Sequence, residues 1–152
     1  MAEMMDGAVV VVTGASRGLG LAIARRLASA GTRLVLAVRS ESSAGTFRQE
    51  FGEPAIVVQV DVAAPEAART VLEGAMQRFG RVDGLVNNAG VIEPIGLLAD
   101  TDPEAWEQAI RTNLVAPYRF IRELVGLTAA GKRRIVNISS GAAGQPFEGW
   151  SA

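Results

Sequence analysis

The chain has 152 residues, enough for one domain of ordinary size, and its 49% hydrophobic and 20% charged composition suits a packed globular core rather than a disordered segment. Fifteen basic against sixteen acidic residues leave a formal charge of −1, so no global field draws the chain to nucleic acid or to an anionic membrane. With no cysteine and no histidine, disulfides, thiolate catalysis, cysteine-zinc sites and serine-histidine or zinc hydrolysis are excluded.

Residues 1–6 carry two acids and no apolar stretch, and no later run reaches the roughly eighteen apolar residues of a membrane span, so a cytoplasmic protein is expected. Residues 8–12 are a continuous, mostly β-branched run without polar alternation, the pattern of a strand buried on both faces of a parallel sheet. After a glycine-rich turn, Leu19, Ala22, Ile23, Leu27 and Ala30 recur at helical spacing, with Gly31 placed for a C-terminal cap. Buried strands follow at 34–38 and 55–60, separated by a weaker helix over 41–51. Pro65 suits a first helical position, and Ala68, Val71, Leu72, Ala75, Met76 and Phe79 make one apolar stripe closed by Gly80. A fourth strand is expected at 82–86. Beyond it lies a long helix over 103–127, bent by Pro117, and then a fifth strand at 134–139. Strands alternating with helices imply right-handed βαβ units, hence an α/β chain whose single parallel sheet is covered on both faces, one domain over residues 1–152.

Thr13-Gly14-Ala15-Ser16-Arg17-Gly18-Leu19-Gly20 separates the first strand from the first helix. There, backbone N–H groups and the positive helix end can hold a pyrophosphate, which makes Gly14, Ser16, Arg17, Gly18, Leu19 and Gly20 candidate contacts. The spacing is not that of a P-loop, whose lysine is absent because Lys132 is the only lysine in the chain; kinase and ATPase readings fail with it. The bland alternative is that these glycines serve turning and helix packing alone. At the end of the second strand, where an acid would accept hydrogen bonds from a ribose 2′-hydroxyl, Arg39 stands instead. Together with Arg17 it offers guanidinium groups to a 2′-phosphate, favouring NADP over NAD, unless Arg39 is simply a solvated strand-end arginine. Asp61-Val62 and Asn87-Asn88-Ala89-Gly90 end the third and fourth strands, on the carboxyl edge where open α/β sheets bind ligands.

These motifs, in this order and over the whole chain, resemble the short-chain dehydrogenase/reductase family, which carries Thr-Gly-x-x-x-Gly-x-Gly, an Asp at the third strand end, Asn-Asn-Ala-Gly, and a helix Asn before an Ile-Ser-Ser strand. Within it, the stretch from Asn137 to Gly144 followed by Gly149-Trp150-Ser151-Ala152 is most similar to sepiapterin reductase and benzil reductase relatives. The resemblance implies a Rossmann-like, doubly wound sheet of strand order 3-2-1-4-5 and hydride transfer between NADPH and a small-molecule carbonyl or alcohol. It assigns Asp61 to the adenine amino group and Val62 to a main-chain contact, and Asn87, Ala89 and Gly90 to the floor under the cofactor. It also assigns Asn113 to a water in the proton relay and Ser140 to the substrate carbonyl. Taken singly, Asn87 and Asn88 can be a turn and Asn113 a buried polar residue satisfied by backbone. Asn137-Ile138-Ser139 also fits a glycosylation acceptor, discounted because it falls in a strand expected to be buried.

The family's general acid is a tyrosine whose pKa is lowered by a lysine one helical turn later, and its spacing would put that tyrosine just after Ala152. The only tyrosine is Tyr118, which Lys132 is too distant to serve; its neighbour Arg122 does not make it a substitute. The chain is therefore expected to be a C-terminally incomplete, inactive cofactor-binding part, or alternatively a nucleotide-binding or interaction module that never catalysed. It is expected either to form a homo-oligomer through the long helix or to self-associate through an uncovered fifth strand carrying Ile135, Val136 and Ile138.

Overall fold

The computed structural model describes residues 5–127, 132–145 and 147–150. The run of valines forms strand β1 (Val9–Thr13), and each of its residues is buried. A strand with no polar face must lie inside a sheet that is covered twice, and β1 occupies the centre of one. Around it stand β2 (Arg33–Val38), β3 (Ala55–Gln59), β4 (Gly84–Asn87) and β5 (Arg134–Asn137), all parallel, in the order β3-β2-β1-β4-β5. The register sets Val11 beside Val35 on one side and Leu85 on the other.

Alternate residues of β1 serve opposite layers. Val9 and Val11 join Val35 and Leu85 under α3 (Ala67–Phe79) and α5 (Ala116–Gly126), whose Val71, Leu72, Phe120 and Leu124 are buried against them. Val10 and Val12 join Leu34, Leu36 and Val86 under α1 (Gly18–Ala28) and α2 (Glu41–Phe51), through Ala24 and Phe47. No helix of the described residues is long and apolar enough to cross a membrane.

Four local expectations are corrected. Helix α3 begins at Ala67, not Pro65. Asp61 accepts the Ala63 N–H through Oδ1 (2.9 Å) while its carbonyl accepts the Ala64 N–H (3.0 Å), and this turn takes up the chain before the helix starts. The long helix is divided: α4 (Pro103–Ile110), capped by Asp102 on the Glu104 N–H, runs into a π-helical turn (Arg111–Val115) and only then into α5. Pro117 has no N–H for the carbonyl of Asn113 four residues earlier, and the widened turn absorbs that defect. Strand β3 is half-buried because it forms one edge of the sheet. Strand β5 forms the other edge and is exposed throughout, so the argument from burial against modification of Asn137 does not hold. The side chain of Asn137 is instead engaged by Asn87.

The opposite, amino-terminal edge is tied by Asp83. Its Oδ2 accepts the Val9 N–H (2.9 Å), its Oδ1 accepts Arg81 Nη2 (2.6 Å) and Nε (3.0 Å), and its carbonyl accepts the Arg134 N–H (2.9 Å). Burial pushes the Asp83 carboxyl upward, but the Arg81 hydrogen bonds, the Val9 N–H and the Arg81 and Arg133 charges outweigh it and hold the group below the usual carboxylate range. A carboxyl lowered in the fold stabilises it above its unfolded pKa, and that contribution is lost as pH falls through the folded value. Asp83→Asn is therefore expected to cost about 1 kcal/mol at neutral pH, small because Arg81 is exposed. In thermal melts the difference from the parent should begin to shrink as the pH falls below about 4 and should vanish only once it has passed the lowered folded value.

Candidate cofactor site

The carboxyl ends of β1 to β4 open onto one cleft of about 370 Å³. Its floor is the turn after β1. Gly14 (φ +64°) and Gly18 (φ +56°) both adopt the left-handed conformation that glycine permits, and the Gly14 N–H donates to the Ala37 carbonyl (3.1 Å). Helix α1 then starts without a side-chain cap from Arg17 and with no acid in its first turn. Its positive end and unpaired N–H groups are thus left for whatever enters the cleft. A methyl added at Gly18 would meet nothing within 4 Å, whereas one at Gly20 would strike Asn88 Nδ2 and the Gly14 carbonyl. Gly18 borders open space, and Gly20 permits close packing.

Asn88 and Thr13 hold the turn in place. Asn88 Nδ2 donates to the carbonyls of Thr13 (3.0 Å) and Gly14 (3.1 Å), while Thr13 Oγ1 accepts the N–H groups of Asn88 (3.0 Å) and Ala89 (3.1 Å). Sequence reasoning missed this clamp, although a polar pair ending two adjacent strands was its signal.

Of the sequence-predicted residues, Gly14, Ser16, Arg17, Gly18, Leu19 and Gly20 line the cleft from the turn and the start of α1, Arg39 from just after β2, Asp61 and Val62 from the turn after β3, and Ala89 and Gly90 from the segment after β4. Gln108 and Thr112, which were not anticipated, close it from the helix side. Arg17 and Arg39 are exposed, and neither forms an ion pair among the described residues.

Three predicted residues lie apart from this lining. Asn87 is buried; its Nδ2 donates to Asn137 Oδ1 (2.8 Å), joining the ends of β4 and β5, and its own Oδ1 has no hydrogen-bond partner among the described residues. Asn113 is exposed in the π-helical turn, with its carboxamide locked onto the backbone of Val91. Its Oδ1 accepts the Val91 N–H (2.9 Å), and its Nδ2 donates to the Val91 carbonyl (2.8 Å). This pairing fixes the loop beyond Gly90 against the helix. Ser140 caps a 3₁₀ turn (Gly141–Ala143), its Oγ accepting the Ala142 N–H (3.2 Å).

The short chain dehydrogenase family model matches residues 8–152. The chain belongs to the short-chain dehydrogenase/reductase family. A putative ketoacyl reductase of the granaticin polyketide synthase from Streptomyces violaceoruber is 42% identical over 138 residues, covering 87% of this chain and 50% of that protein. A 3-ketoacyl-(acyl-carrier-protein) reductase from Brucella melitensis, solved with NADH, superposes with a TM-score of 0.89 at 28% identity, over 96% of this chain and 62% of that one. A blue fluorescent protein from a metagenomic library, solved with NADPH, gives 0.87 at 35% identity, over 96% and 61%. The chain spans about half the length of the curated relatives it matches.

Proposed function

We propose that the chain is the cofactor-binding part of an NADP-dependent short-chain oxidoreductase acting on a carbonyl or alcohol. The uncapped start of α1, opening onto a cleft flanked by Arg17 and Arg39, carries this reading. The residues fit such a cofactor: the open space beside Gly18 and the free amides suit a pyrophosphate, and the two guanidiniums suit a 2′-phosphate. When bound, NADPH supplies the hydride equivalent. Asp61 serves the adenine amino group, Val62 a main-chain contact, and Ala89 and Gly90 the wall beneath. Asn87 acts from behind, tying β4 to β5.

Ser140 has the geometry of a carbonyl-orienting donor. Because its Oγ already accepts the Ala142 N–H, its own proton is left to donate to a substrate oxygen. The carboxamide of Asn113 is spent on Val91, so its role in a relay falls to its main-chain carbonyl, to which Pro117 donates nothing.

A proton source is a different matter. Tyr118 is exposed on α5, and the chain has no tyrosine with a lysine one turn on. The 152-residue chain is expected to quench and shift NADPH fluorescence saturably yet to oxidise no NADPH with simple ketones or aldehydes. A linear, unsaturable titration would remove the site; measurable turnover would remove the assignment of its missing acid.

A further inference from the structure

The turn that carries Asp61 and Val62 runs between two fixed points. The Val60 N–H is held by the Val38 carbonyl (2.8 Å), and at Ala67 the chain enters α3. Within the turn, Asp61 Oδ1 accepts the Ala63 N–H and the Asp61 carbonyl accepts the Ala64 N–H, which fixes the carboxylate relative to its own loop. Val62 and Ala64 pack against the core beneath α3 and α5, but apolar contact is non-directional and does not orient the loop over the cleft. Direction comes from Arg119, half-buried on α5 next to the core residue Phe120. Its Nη1 donates to the carbonyl of the buried Ala63 (3.1 Å). Across residues 61–63 this is the only hydrogen bond, among the described residues, to anything outside the turn. The peptide unit that accepts the guanidinium proton is also the one whose N–H, that of Ala64, donates to the Asp61 carbonyl, so the two bonds polarise each other. Arg119 forms no ion pair among the described residues.

We propose that Arg119 is a positioning residue for recognition of the coenzyme's base, an inference that rests on the cofactor reading above. By holding the Ala63 carbonyl it keeps Asp61, which lines the cleft, where the unengaged Oδ2 can accept from the amino group of an adenine. The consequence is selectivity as well as affinity. An ionised carboxylate offers acceptors only, so a base with a carbonyl oxygen in place of that amino group would set lone pair against lone pair. A loop free to swing would relieve the repulsion with the wrong base and loosen the bond to the right one. Pinned from α5, it does neither. Removing the donor would leave the Ala63 carbonyl without a protein partner, and the loop would then shift to solvate it.

The test compares NADPH with its hypoxanthine analogue, in which oxygen replaces the amino group of the base, by fluorescence titration. The parent chain should prefer NADPH by at least about tenfold. Arg119→Met keeps the apolar stem and removes the donor; it should weaken NADPH roughly tenfold and leave the analogue within about twofold, so that the preference disappears. Arg119→Lys, with a donor on a shorter arm, should fall between the two. Asp61→Ala should also abolish the preference, and adding Arg119→Met to it should change the ratio no further. A second readout needs no nucleotide: the Ala63 and Ala64 amides should exchange with solvent roughly tenfold faster in Arg119→Met. A role in folding alone would lower the melting temperature and weaken both nucleotides equally, and that result would overturn the proposal. Unchanged exchange at Ala63 and Ala64, or a preference that survives Arg119→Met in a parent that binds both forms, would overturn this inference alone. Binding of neither form by the parent would bring down the cofactor reading and this inference with it.

Discussion

Gly14→Ala is expected to lose about 3 kcal/mol of stability and, with it, detectable nucleotide binding. The backbone of Gly14 sits at φ +64°, and a methyl there would lie 2.8 Å from Ala89 Cα and 3.0 Å from Ala89 N. Both neighbours are main chain and cannot rotate away. Nor can the strand end retreat, since the Ala89 N–H is bonded to Thr13 Oγ1 and the Asn88 carboxamide bridges Thr13 and Gly14. Left-handed strain and overpacking then add, and for a chain of this size the sum corresponds to a fall of about 10 °C in calorimetric Tm. Gly18→Ala separates the two consequences. It carries the left-handed cost, about 1 kcal/mol, but meets open space, so the fold survives while the methyl intrudes on the cradle. A Gly18→Ala chain that bound NADPH as tightly as its parent would mean the turn is not where the pyrophosphate sits.

The contrast between these two glycines also marks where sequence reading ends. Periodicity is a property of single elements, so the buried β1 run and the apolar stripe of α3 closed by Gly80 were both legible, and the alternation of strand and helix implied a parallel sheet. The strand order came from the family resemblance and agrees with the structure. What periodicity does not carry is competition between local hydrogen bonds. Pro65 was consistent with a helix start, yet the Asp61 turn claimed the preceding residues. Pro117 announced a disturbance but not its form, because a π-helical turn and a sharp kink both accommodate a missing N–H. In Asn87-Asn88 the alternation of a strand sends adjacent side chains to opposite sides. One therefore reaches β5 while the other grips the glycine turn, and that division depends on which residue β4 ends upon. For β5 the apolar run was read as buried when the Asn137 sequon was weighed and as an uncovered edge when its place in the sheet was, and the second describes the strand: an apolar run reports that a strand can be covered, and only the neighbouring elements decide whether it is.

Arg39→Asp is expected to reverse the choice of coenzyme. Solved relatives hold NADH in one case and NADPH in another, so family membership does not decide between them, and the proposed preference rests on Arg17 and on Arg39 just after β2. A hydrogen bond to a charged group contributes about 1.5–3 kcal/mol, and removing Arg39 forfeits at least one such bond to a 2′-phosphate. The new carboxylate adds repulsion against the same dianion, and a combined loss near 2.7 kcal/mol corresponds to roughly 100-fold weaker NADPH binding. NADH has a hydroxyl at that position, from which the introduced carboxylate can accept, so its affinity should hold or rise. Arg17→Ala, which removes charge without adding repulsion, should weaken NADPH by roughly tenfold and leave NADH nearly unchanged. Because both guanidiniums are exposed, added salt should erode the NADPH preference of the parent chain and have little effect on Arg39→Asp. Neither substitution touches the core, and thermal stability should stay within about 0.5 kcal/mol of the parent, so that a change in affinity reports the site and not the fold. Equal affinities of the parent chain for NADPH and NADH would refute the assignment of Arg17 and Arg39 to the 2′-phosphate while leaving the glycine turn intact as the pyrophosphate cradle.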